Sequence, residues 1–119
     1  MEKVNLLEKL ALFNEQWSPK IVGELNGQQV KLAKLQGEFM WHHHEAEDEL
    51  FYVVKGLLKI LLRDKTIELR EGEFFIVPRG VEHLPVADEE VWVMLIEPAS
   101  TLNTGNNKNE RTKETLEKI

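Results

Sequence analysis

Histidines are the residues of this chain best suited to chemistry, and three of the four are consecutive: His42, His43 and His44. On an extended strand, alternate side chains point to the same face, so His42 and His44 share a face and lie about 6.6 Å apart along the strand. Two imidazoles at that separation can converge on one ion, whereas His43 points away. An acidic stretch, 45–49, comes next. A strand that begins at Glu49 would return a carboxylate to the two histidines.

The fourth histidine, His83, lies further along the chain, just after the turn-forming run Pro78-Arg79-Gly80. Imidazole and carboxylate groups are ligands for divalent transition metals. The residues alone also fit a second interpretation. A polar cluster such as 42–49 is typical of a solvated loop, and a single histidine where a strand begins is typical of a surface residue. Both interpretations stand at this point.

Composition excludes several classes of function. The chain has 119 residues, with 21 Asp and Glu against 15 Lys and Arg, a net charge of −6 and no cysteine. Without cysteine there is no disulfide scaffold, zinc finger, iron–sulfur cluster or thiolate nucleophile. An acidic balance without a basic block argues against nucleic acid as a partner. We expect neither a signal peptide nor a membrane span, and therefore a cytoplasmic location.

The elements that must position these residues have the pattern of short strands. Asn26-Gly27 is a strong hairpin signal, because both residues tolerate positive φ. Turn residues at short intervals favour an all-β sandwich or small barrel with antiparallel pairing. The predicted strands are 21–25, 29–35, 50–54, 57–62, 66–69, 73–77 and 91–96.

The two ends of the chain differ from its middle. Apolar residues with helical spacing predict an amphipathic helix that Ser18-Pro19 ends; they are Leu6, Leu10, Phe13 and Trp17. The predicted division is an N-terminal helix and linker at 1–19, a β-barrel at 20–99, and a polar loop with a short C-terminal segment at 100–119. For 110–119, a last helical turn and a frayed tail both fit the composition.

The spacing of the histidines and glycines resembles the two motifs of the cupins. Gly37 followed by His42-x-His44-x4-Glu49-x6-Gly56 is similar to the first motif. Gly72-x5-Pro78-x-Gly80-x2-His83 is similar to the second. The chain departs from the family in the shorter gap before His42 and at Ala87, where an asparagine is common. Neither departure touches a ligand position.

The resemblance implies a double-stranded β-helix, the cupin jelly-roll barrel, that binds one divalent metal ion. Carried over by position, the metal ligands are His42, His44, Glu49 and His83, and the ion is Fe, Mn, Ni, Co, Cu or Zn. Asp48 competes with Glu49 for the carboxylate position, and Glu49 is preferred. His43 matches no ligand position. Four protein ligands on an octahedral ion leave about two positions for water, O₂ or a substrate.

Residues that alternate along the strands on the same face as the predicted ligands form an apolar, partly aromatic cavity around the metal in this prediction. Its predicted lining residues are Phe51, Val53, Phe75 and Val77, with Trp41 or Met40 at the entrance. Such a cavity favours a metal-dependent enzyme, dioxygenase-like, acting on an aromatic or enolic small molecule. The alternatives are a non-catalytic ligand-binding domain and a sugar-phosphate isomerase or epimerase, for which Arg79 is the one basic residue in a motif turn. Small bacterial cupins commonly form homodimers, and we expect one here.

Overall fold

Seven strands and one short helix make up the chain, as the all-β prediction requires. The computed structural model describes all residues from Met1 to Ile119. The elements are α1 (Leu6–Leu10), β1 (Lys20–Leu25), β2 (Gln28–Glu38), β3 (Glu49–Lys55), β4 (Leu58–Leu62), β5 (Thr66–Leu69), β6 (Phe74–Val77) and β7 (His83–Pro98). Six of the predicted strands agree closely with β1 to β6. The seventh is longer than predicted, because the acidic run 88–90 concealed its first half.

Strand β7 organises the sheet because it pairs with three other strands, all antiparallel. Its first half pairs with β4 and its second half lies between β2 and β3. Strand β1 extends the sheet beyond β2, β6 extends it beyond β3, and β5 pairs with β4. The sheet curls in this way into a barrel, and its fold brings the start of β3 close to the start of β7.

The hairpin between β1 and β2 confirms the turn prediction. Asn26 has φ 49° and Gly27 has φ 81°. Two central residues with positive φ characterise the type I′ turn, whose twist matches that of the flanking strands. This turn sets the register that pairs Leu25 with Gln28.

The interior of the barrel follows the two-residue period of the strands. Alternate residues of β3, which are Glu49, Phe51 and Val53, are buried. The main apolar core contains Ala33, Leu35, Phe51, Val53, Leu58, Ile60, Leu69, Val77, Ala87, Val91, Val93 and Leu95. Because these side chains come from six strands, the core fixes β3 and β7, which begin with Glu49 and His83, and the end of β2 that leads to His42 and His44.

The predicted N-terminal helix is wrong in its extent, since only Leu6–Leu10 is helical. The Asn5 side chain caps this helix by accepting a hydrogen bond from the Glu8 N–H at 3.0 Å. Beyond it the chain runs across the outside of β2, where Phe13 packs with Leu10. Trp17 adopts φ 56° and is held there by a hydrogen bond from its N–H to the Lys34 carbonyl. Tertiary packing therefore overrides the helical spacing. No helix of the structure has the length and apolar character needed to cross a bilayer.

The C-terminal segment is neither a helical turn nor a frayed tail. It returns to the edge of β1, where the Ile21 N–H donates to the Glu117 carbonyl at 2.9 Å and the Ile119 N–H donates to the Ile21 carbonyl at 3.0 Å. Thr101 and Thr104 are buried. The polar segment 100–119 is thus a docked part of the fold.

Candidate metal centre

Backbone pairing brings the histidines of the two motifs together. The His42 N–H donates to the His83 carbonyl at 3.1 Å, and the His83 N–H donates to the His42 carbonyl at 2.9 Å. The Gly80 N–H donates to the His44 carbonyl at 2.7 Å. Glu49 opens β3 and pairs with Val77 of β6. Three separate parts of the chain therefore hold the four side chains on a rigid frame.

The four predicted ligands form one buried cluster. One nitrogen or oxygen atom from each of His42, His44, Glu49 and His83 lies within 4.8 Å of the others. The His42 and His83 rings are the closest pair, with centroids 4.2 Å apart. Four side chains with this geometry could hold a metal ion.

Backbone carbonyls fix which nitrogen of two histidines faces the cluster. Nδ1 of His42 lies 2.9 Å from the Met40 carbonyl, and Nδ1 of His83 lies 2.9 Å from the Val81 carbonyl. A carbonyl oxygen only accepts, so each Nδ1 carries the hydrogen and each Nε2 presents a lone pair to the cluster. This arrangement is the usual outer support of a metal-binding histidine.

The polar atoms at the centre of the cluster lack partners within the protein. Nε2 of His44, Nε2 of His83 and Oε1 of Glu49 are buried and make no hydrogen bond of normal geometry. Oε1 of Glu49 lies 3.4 Å from Nε2 of His44 and 3.3 Å from Nε2 of His83. Buried polar atoms are nearly always satisfied, and a cation held at this point could satisfy all three of these orphaned atoms.

Ionisation states in the cluster also suit metal binding. Burial, with the charge of His83 as a further cause, lowers the pKa of His42 to about 4, so its ring is neutral near pH 7. Burial opposes ionisation of Glu49, but its polar neighbours Glu97, His44 and His83 outweigh that effect and lower the pKa of Glu49 well below its ordinary value. Neutral imidazole and ionised carboxylate are the forms that bind metals.

The two neighbouring candidates lie outside the cluster. His43 turns its ring to the exposed Glu45, with which its Nε2 forms a hydrogen bond. Asp48 accepts a hydrogen bond from the Arg79 N–H at 2.8 Å and pairs with the Arg79 guanidinium at 3.3 Å on the surface. Arg79 is therefore engaged with Asp48, and the buried carboxylate of the cluster belongs to Glu49.

A small cavity of about 40 Å³ opens beside the cluster and reaches His42 and Glu49. Its walls are mainly apolar and aromatic, with Trp17, Leu35, Phe39, Phe51 and Leu95 among them. The Trp17 and Phe39 rings stack with centroids 4.8 Å apart, and Phe39 meets the His42 ring edge-on at 5.4 Å. An aromatic wall thus extends from a cluster histidine toward the mouth.

Of the predicted lining residues, the structure places Phe51 in this cavity and the others elsewhere. Val53 and Val77 lie in the apolar core, and Phe75 packs against it. Trp41 covers the Arg63 guanidinium at 3.8 Å from the ring centroid. Val53 points to the same side of β3 as Phe51 but lies two residues further along the strand, away from the cluster. Trp41 directly precedes His42, and adjacent residues of an extended chain point in opposite directions, so its side chain faces away from that of His42. Met40 contacts the Asn109 amide through its sulfur.

Sequence reasoning did not find the charged residues of the cavity or its C-terminal cover. Lys31 and Glu97 line the cavity, as do Asn103 and Leu116. Lys31 lies an even number of positions from Ala33 and Leu35, so the three side chains share one face of the strand, and this pattern indicated that Lys31 points inward. For the C-terminal residues, no periodicity in the sequence indicated docking.

Comparison with known proteins assigns the family. Residues 28–97, more than half of the chain, match the Cupin_2 family, described as "Cupin domain". This chain belongs to the Cupin_2 family. A crystal structure of a cupin-2 domain containing protein from Shewanella frigidimarina is similar to this cupin with a TM-score of 0.79 and 48% sequence identity, covering 80% of this chain and 93% of that one. The cupin barrel that the motifs imply is thereby confirmed.

Two curated relatives match this cupin over shorter stretches. The Bacillus subtilis protein YdbB, described as uncharacterized, is 41% identical over 63 residues, which are 52% of this chain and 56% of YdbB. Bovine 3-hydroxyanthranilate 3,4-dioxygenase is 42% identical over 48 residues, which are 37% of this chain and 17% of that enzyme. The matches therefore span about half of the first relative and a small part of the second.

Proposed function

We propose that this cupin is a divalent-metal enzyme that acts on a small organic molecule, with a dioxygenase-like reaction preferred. One observation carries the proposal: orphaned ligand atoms of buried residues converge where the cluster meets an apolar cavity. A purely structural cluster has no need of such a cavity. The assignment of His42, His44, Glu49 and His83 as the metal ligands is part of this proposal.

The donor set limits the metal without naming it. Three neutral imidazoles and one carboxylate suit Fe, Mn, Ni, Co, Cu or Zn, and give a bound divalent ion a net local charge near +1. A bound ion of this kind would supply a Lewis acid and open positions for a substrate oxygen and O₂. A tetrahedral Zn with the same four ligands has no open position and favours a structural role.

The residues of the chain would bind and orient the substrate. The stacked Trp17 and Phe39 rings and the Phe51 side chain offer flat apolar surfaces suited to an aromatic or enolic molecule. The same walls exclude bulk water, which strengthens electrostatic interactions at the cluster. The partial match to bovine 3-hydroxyanthranilate 3,4-dioxygenase supports a dioxygenase-like reaction over the other cupin activities.

The charges of the cavity favour this substrate class over a sugar phosphate. A phosphate group is usually bound by several converging cations. Lys31 is the basic side chain among the cavity residues, and it is already paired with Glu97 at 2.7 Å. Arg79, the basic residue of the second motif, is paired with Asp48 on the surface.

Oxygen consumption tests the proposed reaction. Protein loaded with Fe²⁺ or Mn²⁺ is supplied with a panel of catechols and enediols in an oxygen electrode, with a His44→Ala variant as the control. We expect one O₂ consumed per substrate molecule, both oxygen atoms in the product and no external reductant. We expect no uptake in the variant.

Two other outcomes would replace the proposal. Isomerisation of a sugar phosphate without O₂ uptake would establish the isomerase alternative. Ligand binding without turnover, under every metal tested, would establish a non-catalytic binding domain.

We also propose that the chain forms a homodimer through the outer face of β3 and β6. Leu50 pairs with Ile76 and Tyr52 with Phe74, so these four side chains form one apolar patch at the sheet edge. Phe74 is 60% exposed and Ile76 is 47% exposed. Patches of this kind at an edge strand mark interaction surfaces.

Light scattering measures the predicted dimer. We expect twice the chain mass for the wild type and a shift toward the single mass for Phe74→Asp. Leu25→Asp, which alters an exposed leucine at the far hairpin, serves as the matched control and should remain dimeric. A wild type of single mass contradicts the proposal.

A further inference from the structure

An ion pair forms part of the cavity wall beside the cluster. Nζ of Lys31 on β2 lies 2.7 Å from Oε1 of Glu97 on β7, and the side chains are 2% and 3% exposed. Both residues line the cavity. Every other Lys or Arg ion pair of the chain has at least one partner that is more than a third exposed. Lys31 and Glu97 are therefore the one such pair that the fold places in its interior.

Stability alone does not account for this pair. Removing two charges from water costs several kcal/mol per ion, and an apolar pair of similar volume often serves a core equally well or better. The residues next to Lys31 and Glu97 on the same face, Ala33 and Leu95, are apolar and belong to the core. The ion pair interrupts that apolar face where the cavity begins.

The pair has hydrogen-bonding capacity that the protein does not use. A lysine ammonium can donate several hydrogen bonds, and Nζ of Lys31 makes one, to Glu97. Oε2 of Glu97 is buried and has no partner. The other polar side chains of the cavity, apart from the proposed ligands, are Trp17 and Asn103, and both are hydrogen-bonded to backbone groups. Buried polar groups are nearly always satisfied, so the pair is the part of the wall that a polar group of a ligand would satisfy.

The pair lies beside the proposed metal centre. Leu50 of β3 pairs with Ile96 of β7, and the next residues on the two strands are Glu49 and Glu97. The cavity touches both glutamates. A small molecule that binds the proposed metal from the cavity would therefore extend along Glu97.

The unused atoms select the kind of group that can bind there. Nζ of Lys31 has free donors and Oε2 of Glu97 is a free acceptor, and a hydroxyl group both accepts and donates. A carboxylate only accepts and would face the charge of Glu97, whereas an ammonium only donates and would face the charge of Lys31. Since the two charges offset each other, the pair favours a neutral hydroxyl.

We propose that Lys31 and Glu97 determine specificity by binding a neutral hydroxyl group of the substrate, which accepts from Nζ of Lys31 and donates to Oε2 of Glu97. This inference rests on the proposed function and narrows its substrate class. The substrate is a small metal-binding molecule that carries a further hydroxyl group and no charged group at this position.

Small hydroxamates test this assignment, because the hydroxamate group binds divalent metal ions through its two oxygens whatever substituent it carries. Glycolohydroxamate and propionohydroxamate have nearly the same shape, but the first ends in a hydroxyl group and the second in a methyl group. Malonomonohydroxamate ends in a carboxylate. The protein is loaded with Co²⁺ and each affinity is measured by calorimetry, with the visible absorption of Co²⁺ to verify that the hydroxamate reaches the metal.

We expect glycolohydroxamate to bind about 10- to 100-fold more tightly than propionohydroxamate, because hydrogen bonds to charged groups are the stronger ones and a methyl group makes none. Malonomonohydroxamate should bind at least about 10-fold more weakly than glycolohydroxamate, because its carboxylate faces the like charge of Glu97.

A double variant tests the residues themselves. Lys31→Met/Glu97→Leu removes both charges together, so neither is left buried without its partner. We expect this variant to bind glycolohydroxamate and propionohydroxamate within about threefold of each other, because no charged group remains to bind the hydroxyl. Lys59→Met/Asp88→Leu makes the same change at an exposed ion pair outside the cavity and should keep the wild-type preference. Where the first variant fails to fold, the comparison of ligands on the wild type decides.

Equal binding of glycolohydroxamate and propionohydroxamate by the wild type, or tightest binding of malonomonohydroxamate, would overturn the inference and leave the metal centre intact. A Lys31→Met/Glu97→Leu variant that keeps the wild-type preference would overturn it as well. A wild type that binds no Co²⁺, or binds Co²⁺ but none of the hydroxamates, would overturn the proposed open metal centre, and this inference with it.

Discussion

His44→Ala is expected to reduce divalent-metal affinity by about two orders of magnitude while the fold remains intact. Four-ligand zinc sites bind with apparent free energies of about 10–16 kcal/mol, so each ligand contributes about 3 kcal/mol, which corresponds to about 100-fold in Kd. The His44 side chain is buried and its Nε2 meets only Glu49. Its removal therefore deletes one ligand without breaking an ordinary hydrogen bond.

His43→Ala provides the matched control for this prediction. His43 is the adjacent residue of the same type, but its ring pairs with Glu45 away from the cluster. We expect wild-type metal affinity in this variant. The measurement is calorimetric titration with Co²⁺ or Mn²⁺, with circular dichroism to verify the fold. Equal losses in both variants, or no loss in His44→Ala, would contradict the ligand assignment.

Gly105→Ala is expected to destabilise the protein by about 3 kcal/mol, as the sum of backbone strain and overpacking. Gly105 has φ 56°, and a Cβ placed there would overlap the His43 carbonyl oxygen and approach the His42 ring. The Asn106 N–H donates to that same carbonyl at 3.0 Å, and the His43 N–H donates to the Asn106 side chain at 2.9 Å. An added methyl group must therefore separate the C-terminal segment from the segment between β2 and β3 that carries His42.

Gly80→Ala distinguishes this clash from strain at a positive φ. Gly80 has φ 78°, but a Cβ there meets no atom within 4 Å. Its substitution should cost only about 1 kcal/mol of backbone strain. Urea unfolding of the metal-free proteins measures both changes. A Gly105→Ala loss no larger than that of Gly80→Ala would show that the segment is not packed against His43.

The proposed ligands could be predicted because their signals are local. The His42/His44 alternation and the turn residues Pro78 and Gly80 are short patterns that determine side-chain direction and strand ends. The backbone pairing of His42 with His83 is not local, and only the resemblance to the cupin motifs indicated it. The same motif spacing favoured Glu49 over Asp48, and the structure places Glu49 in the cluster.

Features that depend on tertiary contacts could not be predicted. Leu6, Leu10, Phe13 and Trp17 have the spacing of a helix, yet the segment after Leu10 follows the outside of the sheet, and Trp17 takes a positive φ. The hydrophobic pattern of this segment predicts which of its residues are buried. It does not predict the backbone conformation that buries them, because that conformation depends on the part of the sheet on which the segment packs.

The interior charges show a second limit of sequence reasoning. Lys31 and Glu97 have inward parity, but charged residues are mostly exposed, and their pairing joins positions 66 residues apart. The C-terminal segment shows a third. Its Asn- and Thr-rich composition indicates a loop, and only the contacts of Asn106 with His43 reveal that it covers the segment between β2 and β3 that carries two of the cluster histidines.

Metal content is the measurement that tests the central claim most directly. The protein is purified without an immobilised-metal column, because nickel from such a column would load an imidazole-rich site. It is then incubated with Fe²⁺ or Mn²⁺, freed of unbound ion and analysed by mass spectrometry of the elements, with the His44→Ala variant treated in parallel. We predict one divalent ion per chain in the wild type and a small fraction of that in the variant. A wild type that retains no ion, or a variant that retains as much, would contradict a metal centre formed by His42, His44, Glu49 and His83.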